Sequence, residues 1–177
     1  MAQNTSNQDD HASILTSTIR YRIGGVEQID VTEPLWHKQK AYHLKIDTIN
    51  PECFDGIEFN TRMQQLKDKA EELITVLAED PETEQVIAYC LATINAVKLG
   101  EVDSVYVEDL YRGQGIGTEL MRIALNWMEE NKASKTKIHV LEVNQQALKL
   151  YRTLGFKVRQ LELIRNNNSE SSENESH

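Results

Sequence analysis

The chain has 177 residues, of which 40% are hydrophobic, and a formal net charge of −9. This length predicts a single domain with enough apolar residues for a core, and no apolar run is long enough to span a membrane. The acidic balance argues against general nucleic-acid binding, which needs clustered cations. With no secretion-signal pattern at its start and only Cys53 and Cys90, the chain is predicted to be cytoplasmic, without a disulfide framework or a cysteine zinc site.

Two polar ends flank the predicted domain. Residues 1–16 are polar, and residues 165–177 are a low-complexity run of asparagine, serine and glutamate. Such segments cannot bury enough apolar surface to offset the entropy of ordering. We therefore expect disorder at both ends and one folded domain over 17–164.

The first half of the domain predicts one strand, two helices and a hairpin. Alternating residues at 19–23 favour a strand, and the helical pattern over 31–49 has Pro34 near its start, where proline is tolerated. A second helix is expected over 58–69. Two apolar runs on either side of Asp80-Pro81-Glu82 then indicate an antiparallel hairpin, with strands at 73–77 and 86–94.

The second half predicts alternating strands and helices. A strand over 102–107 leads through a glycine-rich turn into a helix that starts near Ile116 and carries one apolar stripe. The stripe indicates a core-facing helix. A strand, a helix and a last strand are expected to follow, at 137–141, 145–154 and 156–163.

The turn before the second-half helix has the chemistry of an anion site. Gly113, Gly115 and Gly117 lack the Cβ atoms that would keep a ligand away from the backbone. The helix behind them directs unpaired N–H groups and the positive end of its dipole toward the same place. The pattern therefore predicts a phosphate-binding loop.

Two common phosphate motifs do not fit this loop. A P-loop requires a lysine after its second conserved glycine, followed by serine or threonine, and the loop has no such lysine. The dinucleotide fingerprint requires a glycine at position 118, which is Thr118.

The run Arg112-Gly-Gln-Gly115-Ile-Gly117 resembles the (Gln/Arg)-x-x-Gly-x-(Gly/Ala) signature of the GNAT superfamily of N-acetyltransferases. A second stretch is similar to the later part of the same superfamily: Ile138-x-Val140, then Asn144, Ala147, Leu150-Tyr151 and Gly155-Phe156. The resemblance covers residues 85–163. It implies an α/β fold with a mixed, mostly antiparallel sheet flanked by helices, in the order β-α-α-β-β-β-α-β-α-β.

By this resemblance the cosubstrate is acetyl-CoA, and no metal is expected. The loop amides would hold the pyrophosphate, with the charge of Arg112 beside it. The backbone of Val105 and Val107 would contact pantetheine and the thioester carbonyl, and Asn144 and Ala147 would contact the pantetheine arm. The predicted loop residues are Arg112, Gly113, Gln114, Gly115, Ile116, Gly117 and Thr118.

The resemblance also assigns the proton-transfer chemistry. Tyr151 stands where relatives place a tyrosine that protonates the departing thiolate. An alkylammonium has a pKa near ~10.4, so a base or a water relay must deprotonate the acceptor. We predict Glu101 as that base, with Asp103 and Glu108 as alternatives. Asn144 is also expected to cap the following helix.

The acceptor is expected to be bound near residues 36–59, whose rings and carboxylates could surround an amine or could simply pack and face water. The predicted function is acetyl transfer to a primary amine of a small, cationic acceptor. Three alternatives remain: transfer to a protein or peptide amine, a non-catalytic acyl-CoA sensor, and a module for another nucleotide. A homodimer is possible.

Overall fold

The structure is a computed structural model that describes residues 18–166. Disorder was predicted for 1–16 and 165–177, of which 1–16 and 167–177 lie outside the described residues. Within the described range the strands are β1 (Arg20–Gly24), β2 (Glu72–Glu79), β3 (Val86–Ile94), β4 (Leu99–Val107) and β5 (Lys135–Ile138). The helices are α1 (Glu33–Ile46), α2 (Phe59–Lys69), α3 (Ile116–Glu130) and α4 (Gln145–Thr153). None of them is long and apolar enough to cross a membrane.

The five strands form one mixed sheet in the order β1-β2-β3-β4-β5. The first four pair antiparallel, and β4 pairs with β5 in parallel. This confirms the predicted mixed, mostly antiparallel sheet. Short 3₁₀ turns at Val26–Thr32, Pro51–Cys53 and Asp109–Tyr111 connect the regular elements.

Each face of the sheet has its own apolar core. On one face the stripe of α3, including Leu120, Met121 and Ala124, packs against the inward side chains of β2, β3 and β4. On the other face α1 and α2 pack Trp36 and Leu66 against β2 and β3. The helices thus flank the sheet as predicted, and the edge of β4 lies between the two layers.

A bulge in β4 and the shortness of β5 leave one edge of β4 unpaired along part of its length. The register between β3 and β4 shifts so that Leu91 faces Ser104 while Ala92 faces Val102, which leaves Asp103 as the extra residue. On the other side β5 pairs only with residues from Leu99 to Val102. From Asp103 onward the β5-facing edge of β4 therefore has no strand partner among the described residues, and the sheet is split there.

The predicted last strand over 156–163 is wrong, because the structure assigns neither helix nor strand to residues 156–166. The segment alternates apolar and charged residues, as a strand would, but a strand also needs a neighbour to satisfy its backbone. Val158, Leu161 and Leu163 are instead exposed. The other predicted elements form, with ends that shift by a few residues.

Candidate active site

The glycine-rich turn between β4 and α3 has the backbone conformation that only glycine adopts readily. Gly113 has φ +78° and Gly115 has φ +82°, and Gly115 directly precedes α3 without a side-chain cap on the helix. The N–H groups of Ile116, Gly117 and Thr118 have no acceptor within their own helix, because each lies in its first turn. The turn therefore offers a row of free donors at the positive end of a 15-residue helix.

Gly117 needs a different explanation from the two glycines before it. A Cβ added at Gly113 or Gly115 would meet no protein atom within 4 Å, so glycine is favoured at these two positions by the positive φ and not by lack of space. At Gly117 an added Cβ would lie 3.6 Å from a Val107 methyl carbon and 3.7 Å from one of Leu150, which is ordinary contact. The protein itself thus tolerates a side chain there, and close approach of a ligand remains a reason for glycine.

The open edge of β4 exposes the two backbone positions predicted to contact the thioester arm. Glu108 donates its N–H to the Ile87 carbonyl at 2.9 Å, which makes Glu108 a hydrogen-bonded position of the β3–β4 ladder. Hydrogen-bonded and non-hydrogen-bonded positions alternate in an antiparallel pair. Val107 and Val105 therefore direct their N–H and C=O groups away from β3, toward the split.

The side chain of Arg112 points back toward β4. Its Nε donates to the Val107 carbonyl at 3.0 Å, and its guanidinium forms an ion pair with Asp109 at 2.8 Å. The guanidinium carbon lies 5.1 Å from the centre of the Tyr42 ring and 5.5 Å from that of Tyr106. A pyrophosphate contact would therefore require this side chain to move.

Tyr151 lies in α4 with its ring in the core on the α3 face, and only 7% of the residue is exposed. Burial raises the pKa of its phenol, with a further contribution from nearby Cys90. A phenol with a raised pKa stays protonated at neutral pH, which a proton donor requires. Its hydroxyl has no partner in the hydrogen bonds found over residues 18–166, so it is free for a ligand.

Asn144 caps α4 as predicted. Its Oδ1 accepts the N–H of Ala147 at 3.2 Å. The cap uses only the carbonyl oxygen, so the Nδ2 group stays available for a second contact. Capping and a pantetheine contact are therefore compatible at this residue, and the half-buried Ala147 lies beside it at the start of the helix.

Two substitutions separate these roles. Asn144→Ala removes the cap and is expected to lower the free energy of unfolding by about 0.5–2 kcal/mol. Asn144→Asp retains an accepting oxygen but loses the amide donors, so stability should be preserved while acetyl-CoA binds more weakly. Urea unfolding and calorimetric titration measure the two effects. Unchanged affinity in both variants would limit Asn144 to capping.

Glu101, the predicted base, is held by two lysines. Its carboxylate lies 2.8 Å from Lys69 Nζ and 3.1 Å from Lys137 Nζ. Burial opposes the charged form, but hydrogen bonds and attraction from both lysines outweigh it and lower the pKa of Glu101. The group is ionised at neutral pH and is a weak proton acceptor. Its side chain is 17% exposed, so water can reach it.

The alternative carboxylates have different surroundings. The Asp103 side chain is fully buried, accepts a hydrogen bond from Thr93 Oγ1 at 2.7 Å and also contacts Lys69. Burial raises its pKa, and these partners offset only part of the effect. Glu108 pairs with Lys38 of α1. Glu101 and Asp103 lie on the same face of β4, and the bulge at Asp103 brings Glu108 onto that face as well.

Lys69 bridges two carboxylates, so its removal should have a pH-dependent cost. Lys69→Met is expected to lower the free energy of unfolding at about pH 7 by about 1.5–3 kcal/mol, the range for hydrogen bonds to charged groups. Because the pKa of Glu101 is lowered from 4.5, its stabilising effect is complete above that value. It is lost as the pH falls through the lowered pKa.

The gap between wild type and Lys69→Met should therefore narrow as the pH is lowered from about 7 toward about 2, because Glu101 loses its charge only as the pH falls through its lowered pKa. Lys67→Met is the matched control, because Lys67 occupies the same last turn of α2 and should change little. Urea unfolding at both pH values checks this. A gap of equal size at acid pH would show that the lysine acts through packing.

The predicted acceptor region is partly core. Trp36 is buried and packs edge-on against Phe59 with 5.6 Å between ring centres, so these two rings do not line an open pocket. Tyr42 instead faces Arg112, and Phe54 lies 5.0 Å from the His43 ring. Asp55 and Glu58 are exposed. The interpretation that aromatics pack and acids face water is confirmed for Trp36, Phe59 and the two acids.

Sequence reasoning missed Gln39. This α1 residue donates Nε2 to the Val105 carbonyl at 3.3 Å and accepts the hydroxyl of buried Tyr89 on its Oε1. A glutamine on a helix carries no signal of its own. Gln39 lies 66 residues from Val105 in the sequence. Their contact is therefore evident only in the folded structure, where α1 packs over the split.

The chain is similar in sequence to known acetyltransferases. The model of the acetyltransferase (GNAT) family matches residues 40–156. The thialysine N-epsilon-acetyltransferase of Sus scrofa is 35% identical over 54 residues, which are 30% of this chain and 32% of that protein. The N-acetyltransferase 9-like protein of Caenorhabditis elegans is 27% identical over 138 residues, 77% of this chain and 63% of that protein. The matched segments thus span less than two thirds of these relatives.

Solved structures share the fold. A mutant of the BH1408 protein from Bacillus halodurans has a TM-score of 0.66 at 14% identity, covering 83% of this chain and 98% of that one. AAC(6')-Iy, bound to the bisubstrate analogue CoA-S-monomethyl-acetylneamine, has a TM-score of 0.58 at 13% identity, covering 85% and 99%. Together, the mixed sheet, the split beside β4 and the glycine-rich turn define an acyl-CoA acyltransferase fold. This chain belongs to the GNAT family of acetyltransferases.

Proposed function

We propose that this chain transfers the acetyl group of acetyl-CoA directly to a primary amine. The observation that carries the proposal is the juxtaposition of the donor-rich turn before α3 with the open edge of β4. The turn can bind the pyrophosphate, as helix N-termini bind phosphate generally. The edge can bind the arm and the thioester that extend from it.

We assign one residue to each step of the transfer. The N–H of Val105 or Val107 can donate a hydrogen bond to the thioester oxygen, and one such preorganised donor stabilises the negative charge that grows there by ~2.7–4 kcal/mol. The amine nitrogen attacks the carbonyl carbon, and the carbon–sulfur bond breaks. Tyr151, which is protonated at neutral pH, gives its proton to the departing sulfur.

The amine must lose a proton for this attack. We propose that Glu101 accepts it through water, because Glu101 reaches solvent while the side chain of Asp103 is fully buried. The lowered pKa of Glu101 keeps the carboxylate ionised but makes it a weak base, so the rate is limited by the small fraction of unprotonated amine, which grows with pH. Turnover is therefore expected to rise with pH.

A small amine is the proposed acceptor. The net charge of −9 favours a cationic molecule. The three carboxylates on or next to β4 are already paired with lysines, Glu101 with Lys69 and Lys137, Asp103 with Lys69, and Glu108 with Lys38. The names of similar proteins indicate thialysine and aminoglycoside-derived acceptors among small molecules. A similar N-alpha-acetyltransferase of Sulfurisphaera tokodaii keeps a peptide amine as the alternative. A homodimer stays a prediction.

Release of free thiol from acetyl-CoA tests the proposal. Purified protein is mixed with acetyl-CoA and a panel of polyamines, amino acids, aminoglycosides and peptides. We expect thiol release that depends on both protein and amine, and binding that is competed by CoA but not by NAD or ATP. Binding without amine-dependent release across the panel would identify a non-catalytic acyl-CoA sensor instead.

A further inference from the structure

The open edge of β4 presents two free hydrogen-bond donors. Val105 and Val107 direct one N–H and one C=O each toward the split. Both carbonyls are already occupied, since Gln39 Nε2 lies 3.3 Å from the Val105 oxygen and Arg112 Nε lies 3.0 Å from the Val107 oxygen. The groups left for a ligand are the two N–H donors.

The orientation of the Gln39 amide is set by its partners. A backbone carbonyl can only accept, so the nitrogen of Gln39 must face Val105. Its oxygen then faces the hydroxyl of Tyr89, which donates to it. Tyr89 is fully buried in β3 and faces Tyr106 across the ladder. Gln39 therefore connects α1 to β3 and β4 at the point where the sheet splits.

These contacts favour one kind of ligand. Each of the two carbonyls already accepts one hydrogen bond, whereas neither N–H has a hydrogen-bond partner among the described residues. A ligand that brings carbonyl oxygens, such as a thioester or an amide, finds two free donors in a row. The cap on Val105 also holds the adjoining peptide in place, so that the direction of the Val105 N–H is maintained.

We propose that Gln39, oriented by Tyr89, is a positioning residue for acyl transfer. It caps the Val105 carbonyl and keeps the neighbouring N–H directed at the thioester oxygen. This inference rests on the proposed acetyl transfer, because the ligand it concerns is the acyl group of acetyl-CoA. Gln39 itself forms no bond to the reacting atoms.

Infrared spectroscopy of bound acetyl-CoA labelled with ¹³C at the thioester carbonyl measures this positioning without any acceptor. In the wild type the carbonyl stretch should shift to lower frequency than in free acetyl-CoA. Gln39→Leu and Tyr89→Phe should each lose at least about half of that shift, because a preorganised donor is released. Gln64→Leu, the same change on the exposed face of α2, should retain it in full.

Gln39→Glu adds a readout that simple packing would not produce. A carboxylate cannot donate to the Val105 carbonyl, whereas a protonated carboxyl group can. As the pH is lowered from about 8 to about 5, protonation of this partly buried carboxyl should restore the carbonyl shift toward the wild-type value. The wild-type shift should stay constant over the same range.

Two results would overturn the inference in different ways. The role of Gln39 would be refuted if Gln39→Leu and Tyr89→Phe bound acetyl-CoA with the same carbonyl shift as the wild type, and if the shift in Gln39→Glu did not change with pH. That result would leave the proposed function intact. Failure of the wild type to bind acetyl-CoA would refute both.

Discussion

Replacing Gly115 with valine is expected to weaken acetyl-CoA binding at least about a hundredfold, or about 2.8 kcal/mol. Gly115 has φ +82°, a conformation in which a β-branched residue is strained by about 1–3 kcal/mol. The valine side chain would also project into the space in front of the free amides of α3, where no protein atom lies within 4 Å of the new Cβ. Both the altered backbone and the added side chain would therefore weaken the binding of acetyl-CoA.

Gly56→Val is the control for strain alone. Gly56 has φ +69° and no atom within 4 Å of an added Cβ, but it lies in the turn between α1 and α2. Calorimetric titration should show nearly wild-type affinity in this variant, while urea unfolding shows similar destabilisation in both. Equal affinity for acetyl-CoA in Gly115→Val and Gly56→Val would mean that the glycine turn does not bind the cosubstrate.

Replacing Tyr151 with phenylalanine is expected to lower turnover at least about tenfold while acetyl-CoA affinity stays nearly unchanged. General acid catalysis contributes about 10²–10⁴-fold where one group supplies it, and water can replace part of that contribution. The ring packs against Phe156 with 6.1 Å between ring centres and would remain in place. The fold should therefore tolerate the change, and the loss should lie in the chemical step.

Tyr21→Phe is the matched control, because Tyr21 is a partly buried tyrosine of β1 that packs on the same core. Thiol release with an amine from the panel gives turnover, and titration gives affinity. Wild-type turnover in Tyr151→Phe would remove the proton-donor role and leave Tyr151 as a packing residue. Loss of turnover in both variants would attribute the effect to the core.

Local chemistry explains which parts of the site could be predicted. The glycine spacing at 113 and 115 and the strand before it predict the turn, since its positive φ values follow from the residues themselves. Asn144 could be identified as a cap because capping is a property of one residue and the next turn. The strand at 86–94 was predicted with its observed bounds, since its apolar run is continuous and ends at turn residues.

What the sequence could not predict depends on contacts between distant segments. The segment predicted as the last strand has strand-like alternation but no pairing neighbour within residues 18–166. The bulge at Asp103 depends on pairing with β3 and changes which face Glu108 occupies. The lowered pKa of Glu101 depends on Lys69, which lies 32 positions away in α2. Likewise, the position of the Arg112 guanidinium depends on its contacts with Val107, Tyr42 and Tyr106, and none of these residues belongs to the glycine-rich motif.

The most direct test of the proposed function is the fate of the acetyl group itself. Thiol release alone does not distinguish transfer from hydrolysis, so the protein is incubated with acetyl-CoA carrying ¹³C in the acetyl group, together with the amine panel. Mass spectrometry should find the label on the nitrogen of an amine product, in amounts equal to the CoA released. Label found only in free acetate, or only in unchanged acetyl-CoA, would contradict acetyl transfer by this chain.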